Sequence, residues 1–152
     1  MLIAVFSDSH GSVDPMIHVI REEQPDLVLH LGDHAWDAEA LQREFPALDI
    51  RFVRGNCDWG SDAEEVLTPA ADGVKIFMTH GHRYGVKYTL HSLANAAHFS
   101  GAALCLFGHT HESEYKVMGD VTLFNPGAAG PGGSCGLITV KGTEFKCRLR
   151  EI

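Results

Sequence analysis

Five short apolar runs along this chain each break off into a segment that carries a carboxylate, an imidazole or an amide. Residues 2–6 run into Asp8-Ser9-His10, residues 27–31 into Gly32-Asp33, and residues 50–53 into Gly55-Asn56. Residues 74–78 lead to His80, and residues 103–107 to Gly108-His109-Thr110-His111. Apolar runs this short, bounded by glycine and polar residues, read as buried strands. In sheets containing parallel strands, chemistry gathers in the loops beyond the carboxyl ends. If all five runs are strands, all five polar segments stand on one rim.

The rest of the sequence is consistent with that placement. Asp14-Pro15 suits a helix start, with Met16, Ile17 and Ile20 on one face through about Glu23. Ala38, Leu41 and Phe45 have helical spacing and predict a second helix over 37–45. The opening is therefore βαβαβ, which calls for a parallel sheet covered by helices. Beyond it, residues 65–68 and 74–78 read as a hairpin turning at Asp72-Gly73, and residues 84–99 as a helix. Residues 113–117, 121–124, 135–140 and 143–149 read as antiparallel strands with turns at Gly119-Asp120 and Lys141-Gly142. The Gly/Pro-rich stretch 125–133 is too short for a domain linker and reads as a site loop. The expectation is a single α/β domain over 1–152. Its architecture is a two-sheet sandwich, parallel-rich in the N-terminal half and antiparallel in the C-terminal half.

Bulk properties narrow the function. The formal net charge is -8, with no Lys/Arg cluster, which argues against duplex nucleic acid as a partner. A small phosphate-bearing substrate stays open, because bound cations would reverse the local field. No apolar run approaches a membrane span, and no signal-type segment opens the chain, so a cytoplasmic protein is expected. Cys57, Cys105, Cys135 and Cys147 show no CxxC spacing and read as reduced thiols rather than a disulfide framework.

The chemistry of the five segments points to metal. Carboxylate, imidazole and amide together, without a thiolate role, suit Mn, Fe, Zn or Ni better than a structural thiolate site. The segments hold more ligands than one ion takes, so two divalent ions sharing a bridge are expected. In near-extended chain, Asp8 and His10 would project the same way, as would His109 and His111. Glycines at 32, 55, 81 and 108 would let the backbone turn beside the ligands.

In order and spacing, these motifs resemble the calcineurin-like metallophosphoesterase superfamily, and most of all its small single-domain bacterial and archaeal phosphodiesterases. The family pattern appears here as Asp8-Ser9-His10, Gly32-Asp33, Gly55-Asn56-Cys57-Asp58, Thr79-His80-Gly81-His82 and Gly108-His109-Thr110-His111, followed by Asn125-Pro126-Gly127. The resemblance implies that Asp8, His10 and His111 bind one ion, that Asn56, His80 and His109 bind the other, and that Asp33 bridges them. It implies hydrolysis of a small phosphate ester, most readily a diester, by in-line attack of a metal-bridging hydroxide. Asp33, Asn56, Asp58 and His82 are the expected catalytic set, with Asp58 either orienting an imidazole or capping the following turn. Many family members have His where this chain has Cys57. A thiol is a poor proton donor to an alkoxide, so good leaving groups such as aryl esters are expected.

Two other functions fit the same motifs less well. A non-catalytic protein-binding scaffold, as in the retromer subunit of this fold, goes with a degraded metal site, and here all seven ligands are present. A nuclease or cyclic-nucleotide phosphodiesterase is the other, though a duplex nuclease would need added length and a basic surface. His34 reads as a rim residue, His30 as a packed polar residue, and His18, His91 and His98 as helix-surface residues. Trp36, Trp59 and Tyr84 closely follow ligand segments and read either as pocket lining or as ordinary packing. Free strand edges leave a homo-oligomer possible.

Overall fold

Four of the five residues of the first strand are fully buried, because a continuous apolar run has no polar face to turn toward water. The computed structural model describes residues 1–152. The chain runs β1 (Leu2–Phe6), α1 (Val13–Glu23), β2 (Leu27–His30), α2 (Ala35–Glu44), β3 (Asp49–Phe52), β4 (Val66–Leu67), β5 (Ala70–Ala71) and β6 (Val74–Thr79). It continues through α3 (His91–Phe99), β7 (Leu104–Leu106), β8 (Glu114–Met118), β9 (Val121–Asn125), β10 (Ser134–Lys141) and β11 (Glu144–Glu151). No helix is long and apolar enough to cross a membrane.

The strands form two sheets. The first has the order β11-β10-β1-β2-β3, with β1, β2 and β3 parallel and the β10–β11 hairpin antiparallel to β1. The second runs β4-β6-β7-β9-β8, with β6, β7 and β9 parallel and β4, β5 and β8 antiparallel at its margins. The two-sheet α/β sandwich is therefore present, but the sheets cut across the two halves of the chain. The last hairpin returns to the first sheet, and β7 and β9 pair in parallel because β8 reverses the chain between them. Hydrophobic pattern alone assigns strands without assigning their sheet.

The two-residue period of a strand sorts its side chains between layers. Ile3, Val5, Leu27 and Leu29 face inward and meet Ile76, Met78, Leu104 and Leu106 of the second sheet. Their alternates Ala4, Phe6 and Val28 face outward, beneath Met16, Val19 and Ile20 of α1 and Leu41 of α2. On the far side Phe77, Cys105 and Phe107 pack under Leu93, Ala94 and Ala97 of α3. The layers are helix, sheet, sheet, helix, and every parallel strand ends on one rim. All four cysteines are free, with Cys105 and Cys135 buried as packing residues.

Three boundaries differ from the periodicity. The helix predicted over 84–99 begins only at His91, because Gly85 takes a left-handed φ of 61° that no helix continues through. A 3-10 turn at His82–Tyr84 precedes it. The second helix starts at Ala35, two residues before Asp37. The hairpin ahead of β6 is split into β4 and β5 by Pro69, which has no N–H to donate to the ladder.

Truncating a residue between the sheets should be costly. Leu29→Ala is expected to lower unfolding stability by about 2–5 kcal/mol, read from urea midpoints. Val117→Ala on the exposed margin should change it by less than about 0.5 kcal/mol.

Candidate metal centre

At the rim the backbone takes a conformation that L-residues avoid. Asp8 (φ 54°), His10 (43°), Asp33 (56°), His34 (83°), His109 (71°) and His111 (62°) all lie in the left-handed region. The extended geometry expected for the Asp8/His10 and His109/His111 pairs is therefore wrong. The left-handed turns bring Asp8 and His10 to one ligand group and divide His109 and His111 between two. Such backbone costs free energy and persists only where surrounding contacts hold it. Two glycines make room for it. A Cβ on Gly55 would lie 2.1 Å from Asp33 Oδ1, and one on Gly108 would lie 1.9 Å from Ser7 Oγ.

The turns deliver two ligand groups. Asp8, His10, Asp33 and His111 form one, and Asp33, His80 and His109 the other, with the ligand atoms of each within 4.8 Å of one another. Asp33 belongs to both. Each carboxylate has one oxygen tied to the protein and the other directed into the site. Asp8 Oδ2 accepts from Ser7 Oγ (2.6 Å) and from the His109 N–H (3.1 Å). Asp8 Oδ1 lies 3.1 Å from His111 Nε2 and 3.8 Å from His80 Nε2. Asp33 Oδ1 accepts from the Cys57 N–H (2.9 Å), while Oδ2 faces His80 Nε2 at 3.4 Å and His10 Nε2 at 4.0 Å. His80 Nδ1 donates to the Leu31 carbonyl at 2.8 Å, which fixes the tautomer and leaves Nε2 with a lone pair turned inward.

This arrangement fits divalent cations. Asp8 Oδ1 and His80 Nε2 are buried and have no hydrogen-bond partner. Two such orphans facing one space are costly unless something positive occupies it. The electrostatics agree. Burial works to raise the Asp33 carboxyl, yet His80 and the Cys57 N–H hold it well below the usual carboxylate range. Burial works to lower His80, yet Asp33 and Asp8 push it up. His109 and His82 are lowered by burial and by His80, which keeps them neutral.

Asn56 is exposed on its loop, with Nδ2 donating to Cys57 Sγ at 3.5 Å, which leaves its Oδ1 free to accept or ligate. His82 is half-buried, its ring centroid 5.5 Å from that of His80 and 6.2 Å from that of His109, and its Nδ1 has no partner. The Cys57 thiol is pushed up by burial and by Asp33, so it stays protonated. Asp58 bonds no imidazole. Its carboxylate accepts the N–H groups of Asp33 (2.9 Å), Gly55 (2.7 Å), His34 (2.8 Å) and Ala35 (2.8 Å). It is a positioning residue that ties the loop after β3 to the loop after β2 and caps α2.

Other supports were not visible in the motifs. The Gly32 N–H donates to His30 Nδ1 (3.2 Å), so Nε2 carries the proton and donates to Ser9 Oγ (2.8 Å). Ser9 in turn donates to Asp37 Oδ2 (2.7 Å), which also accepts the Gly11 N–H (2.7 Å). This buried chain braces the loop carrying Asp8 and His10. The sign of Asp37 was a carboxylate beside Ala38 on the apolar face of a helix. Asn125 holds the loop after β7 by donating to the Gly108 carbonyl and to Thr110 Oγ1, both at 3.1 Å.

Residues 1–142 match the calcineurin-like phosphoesterase superfamily domain. The chain belongs to this superfamily. It is 34% identical over 131 residues to a probable metallophosphoesterase, YsnB, of Bacillus subtilis, covering 84% of this chain and 75% of that one. It is 27% identical to a phosphodiesterase of Methanocaldococcus jannaschii, covering 91% of this chain and 87% of the relative. A crystal structure of a predicted phosphoesterase from Streptococcus pneumoniae superposes with a TM-score of 0.85 at 27% identity, covering 99% of this chain and 88% of that one. The chain is a metallophosphoesterase by family, and the two groups of candidate ligands at its rim agree with divalent-metal binding.

Two outcomes test the site. Gly55→Ala, which drives a methyl into Asp33 Oδ1, should weaken divalent-metal binding at least about tenfold while the protein stays folded, as read by calorimetry and circular dichroism. The second outcome concerns pH. Burial lowers His30 to about 4, below its ordinary 6.5, so its neutral form favours folding. That contribution is fully present above pH 6.5 and is lost as pH falls toward 4. In chelator, native protein should lose about 3 kcal/mol more than His30→Gln between pH 7 and 4, measured by urea unfolding.

Proposed function

We propose that this chain is a two-ion phosphodiesterase acting on small phosphate esters through an open, shallow site. The observation that carries this reading is Asp33, a single buried carboxylate common to two ligand groups. A carboxylate has two oxygens and can bond an ion with each. Asp8, His10 and His111 would hold one ion. His80 and His109 would hold the other, with Asn56 joining through its free Oδ1. Mn, Fe, Zn and Ni all suit this donor set. Two such ions supply a water acidic enough to attack phosphorus and positive charge for the phosphoryl oxygens.

The chain's own residues supply geometry. Asp58 and the His30–Ser9–Asp37 chain hold the ligand loops rigid, so the ions would stand at a fixed separation. His82 borders the second ion group, and the exposed side of its ring would hydrogen-bond a phosphoryl oxygen. Water attacks in line, the ester oxygen opposite departs, and a diester yields a monoester and an alcohol. Cys57, held protonated, stands where many members have His and brings no positive charge to the departing oxygen, which supports a preference for aryl leaving groups, whose oxygen needs no proton. The protein offers no nucleophile of its own, so no phosphoenzyme is expected. The composition supports a cytoplasmic enzyme without a duplex nucleic-acid partner. A protein-binding scaffold is the weaker reading, since a scaffold gains nothing from orphaned buried ligands.

Chelator-stripped protein should be inactive on bis-p-nitrophenyl phosphate and regain turnover when Mn²⁺, Ni²⁺ or Zn²⁺ is added singly. Asp33→Asn and His109→Ala should lower the restored kcat at least about 100-fold. Faster turnover of the diester than of p-nitrophenyl phosphate supports the diesterase reading. Stoichiometric metal binding without turnover would overturn it in favour of the scaffold.

A further inference from the structure

The chain has two tryptophans, Trp36 and Trp59. Each stands just beyond a metal-site motif, and neither packs into the core: Trp36 is 45% exposed and Trp59 85% exposed. Tyr84, which also follows a ligand segment, behaves differently. It sits against Phe77 at 6.1 Å between ring centroids and packs on the cluster beneath α3. An indole left in water forgoes one of the largest burial gains a side chain can make. Here both indoles of the chain do so, Trp36 in ring contact with His34 and Trp59 next in sequence to Asp58.

The backbone beside each indole is held in place, and the Trp36 ring also rests against His34. Asp58 accepts the N–H groups of Asp33, His34 and Ala35, and Trp36 and Trp59 directly follow Ala35 and Asp58. One buried carboxylate therefore positions the bridging ligand and the backbone of both indoles. From Trp36 a continuous run of rings leads inward. Trp36 meets His34 at 4.9 Å, His34 meets His10 at 5.8 Å, and His10 meets His111 at 5.3 Å. The two inner rings belong to the first ligand group. A phosphate held there would have one ester arm lying along this ring wall toward solvent.

We infer that Trp36 and Trp59 form the recognition surface for a planar aromatic group esterified to the phosphate, such as an aryl or nucleobase-bearing alcohol. The inference rests on the phosphoesterase reading and names the substrate class of that site. A preordered aromatic wall stacks on a flat ring with little loss of side-chain freedom. A saturated arm gains less there, because the wall offers π-faces and ring edges rather than an enclosed apolar pocket.

The test uses Mn²⁺-loaded protein and two phosphonates whose carbon–phosphorus bond resists hydrolysis, p-nitrobenzylphosphonate and methylphosphonate. Affinity is measured by calorimetry. The nitro ring should also quench the tryptophan emission, which comes from these two residues alone. The aryl ligand should bind about tenfold more tightly than the methyl one, the weight of one stacking contact. The double variant Trp36→Ala/Trp59→Ala should lose that advantage, and Trp36→Phe/Trp59→Phe should keep most of it. Phe99→Ala, at the C-terminal end of α3 and 85% exposed, should change neither affinity. Equal affinity for both ligands in native protein, or an aryl advantage surviving in the alanine variant, overturns the inference while leaving the phosphoesterase reading intact. Failure of both phosphonates and of orthophosphate to bind overturns that reading and this inference with it.

Discussion

The structure depends on two buried carboxylates that are each only half satisfied. Asp8 and Asp33 spend one oxygen on backbone and hydroxyl donors and keep the other for the space between them. Two negative charges that close, out of water, repel each other and forgo hydration, so the apo state carries a cost met by the rest of the fold. The surrounding imidazoles relieve part of it: His80, with its Nδ1 proton fixed on the Leu31 carbonyl, stands 3.4 Å from Asp33. A cation relieves the remainder. Strained backbone, close glycines and buried braces are the means by which the fold holds charges together that would otherwise separate.

The braces form a second ring of carboxylates around the first. Asp58 and Asp37 are nearly as buried as Asp8 and Asp33, but Asp58 has both oxygens filled by backbone N–H groups, and Asp37 has its Oδ2 filled by a backbone N–H and a hydroxyl. Asp58 shares a residue type with Asp8 and Asp33 and differs from them in saturation. A carboxylate with filled lone pairs is a fastener, and one with an empty lone pair is a ligand. Metal affinity thus follows from which acceptors the fold leaves unfilled.

The sequence made legible those features that depend on local pattern. Apolar runs of strand length ending in Asp33, His80 and His109 located the rim, because a strand end is a local event. The partition of strands between sheets was not legible, since β10 and β11 have the same alternation whichever sheet they join. The left-handed turns at Asp8, His10, His109 and His111 were also hidden. Ordinary φ preferences favour extended chain there, and only tertiary contacts reverse them. Asp37 reads in sequence only as the start of a helix, and Asp58 allows two roles there because its four partners come from two distant loops. Gly85, which ends the helical pattern early, was visible as a residue but not as a left-handed one.

The return of the last hairpin to the first strand has a kinetic consequence. Leu2 pairs with Thr139, and Val5 with Gly136, so β1 gains its second neighbour only from the far end of the chain. Closing so long a loop is slow, and during synthesis β1 must wait for β10 to emerge. Until then the strand that carries Asp8 has one side of its ladder open and an apolar face uncovered, a state prone to association. The second sheet is built largely from neighbours in sequence and can assemble first, so the half of the site with His80 and His109 forms before the half with Asp8 is secured. Capture of divalent metal would then be a late, post-synthetic event, and cellular metal supply would act on a nearly finished molecule rather than on a nascent one.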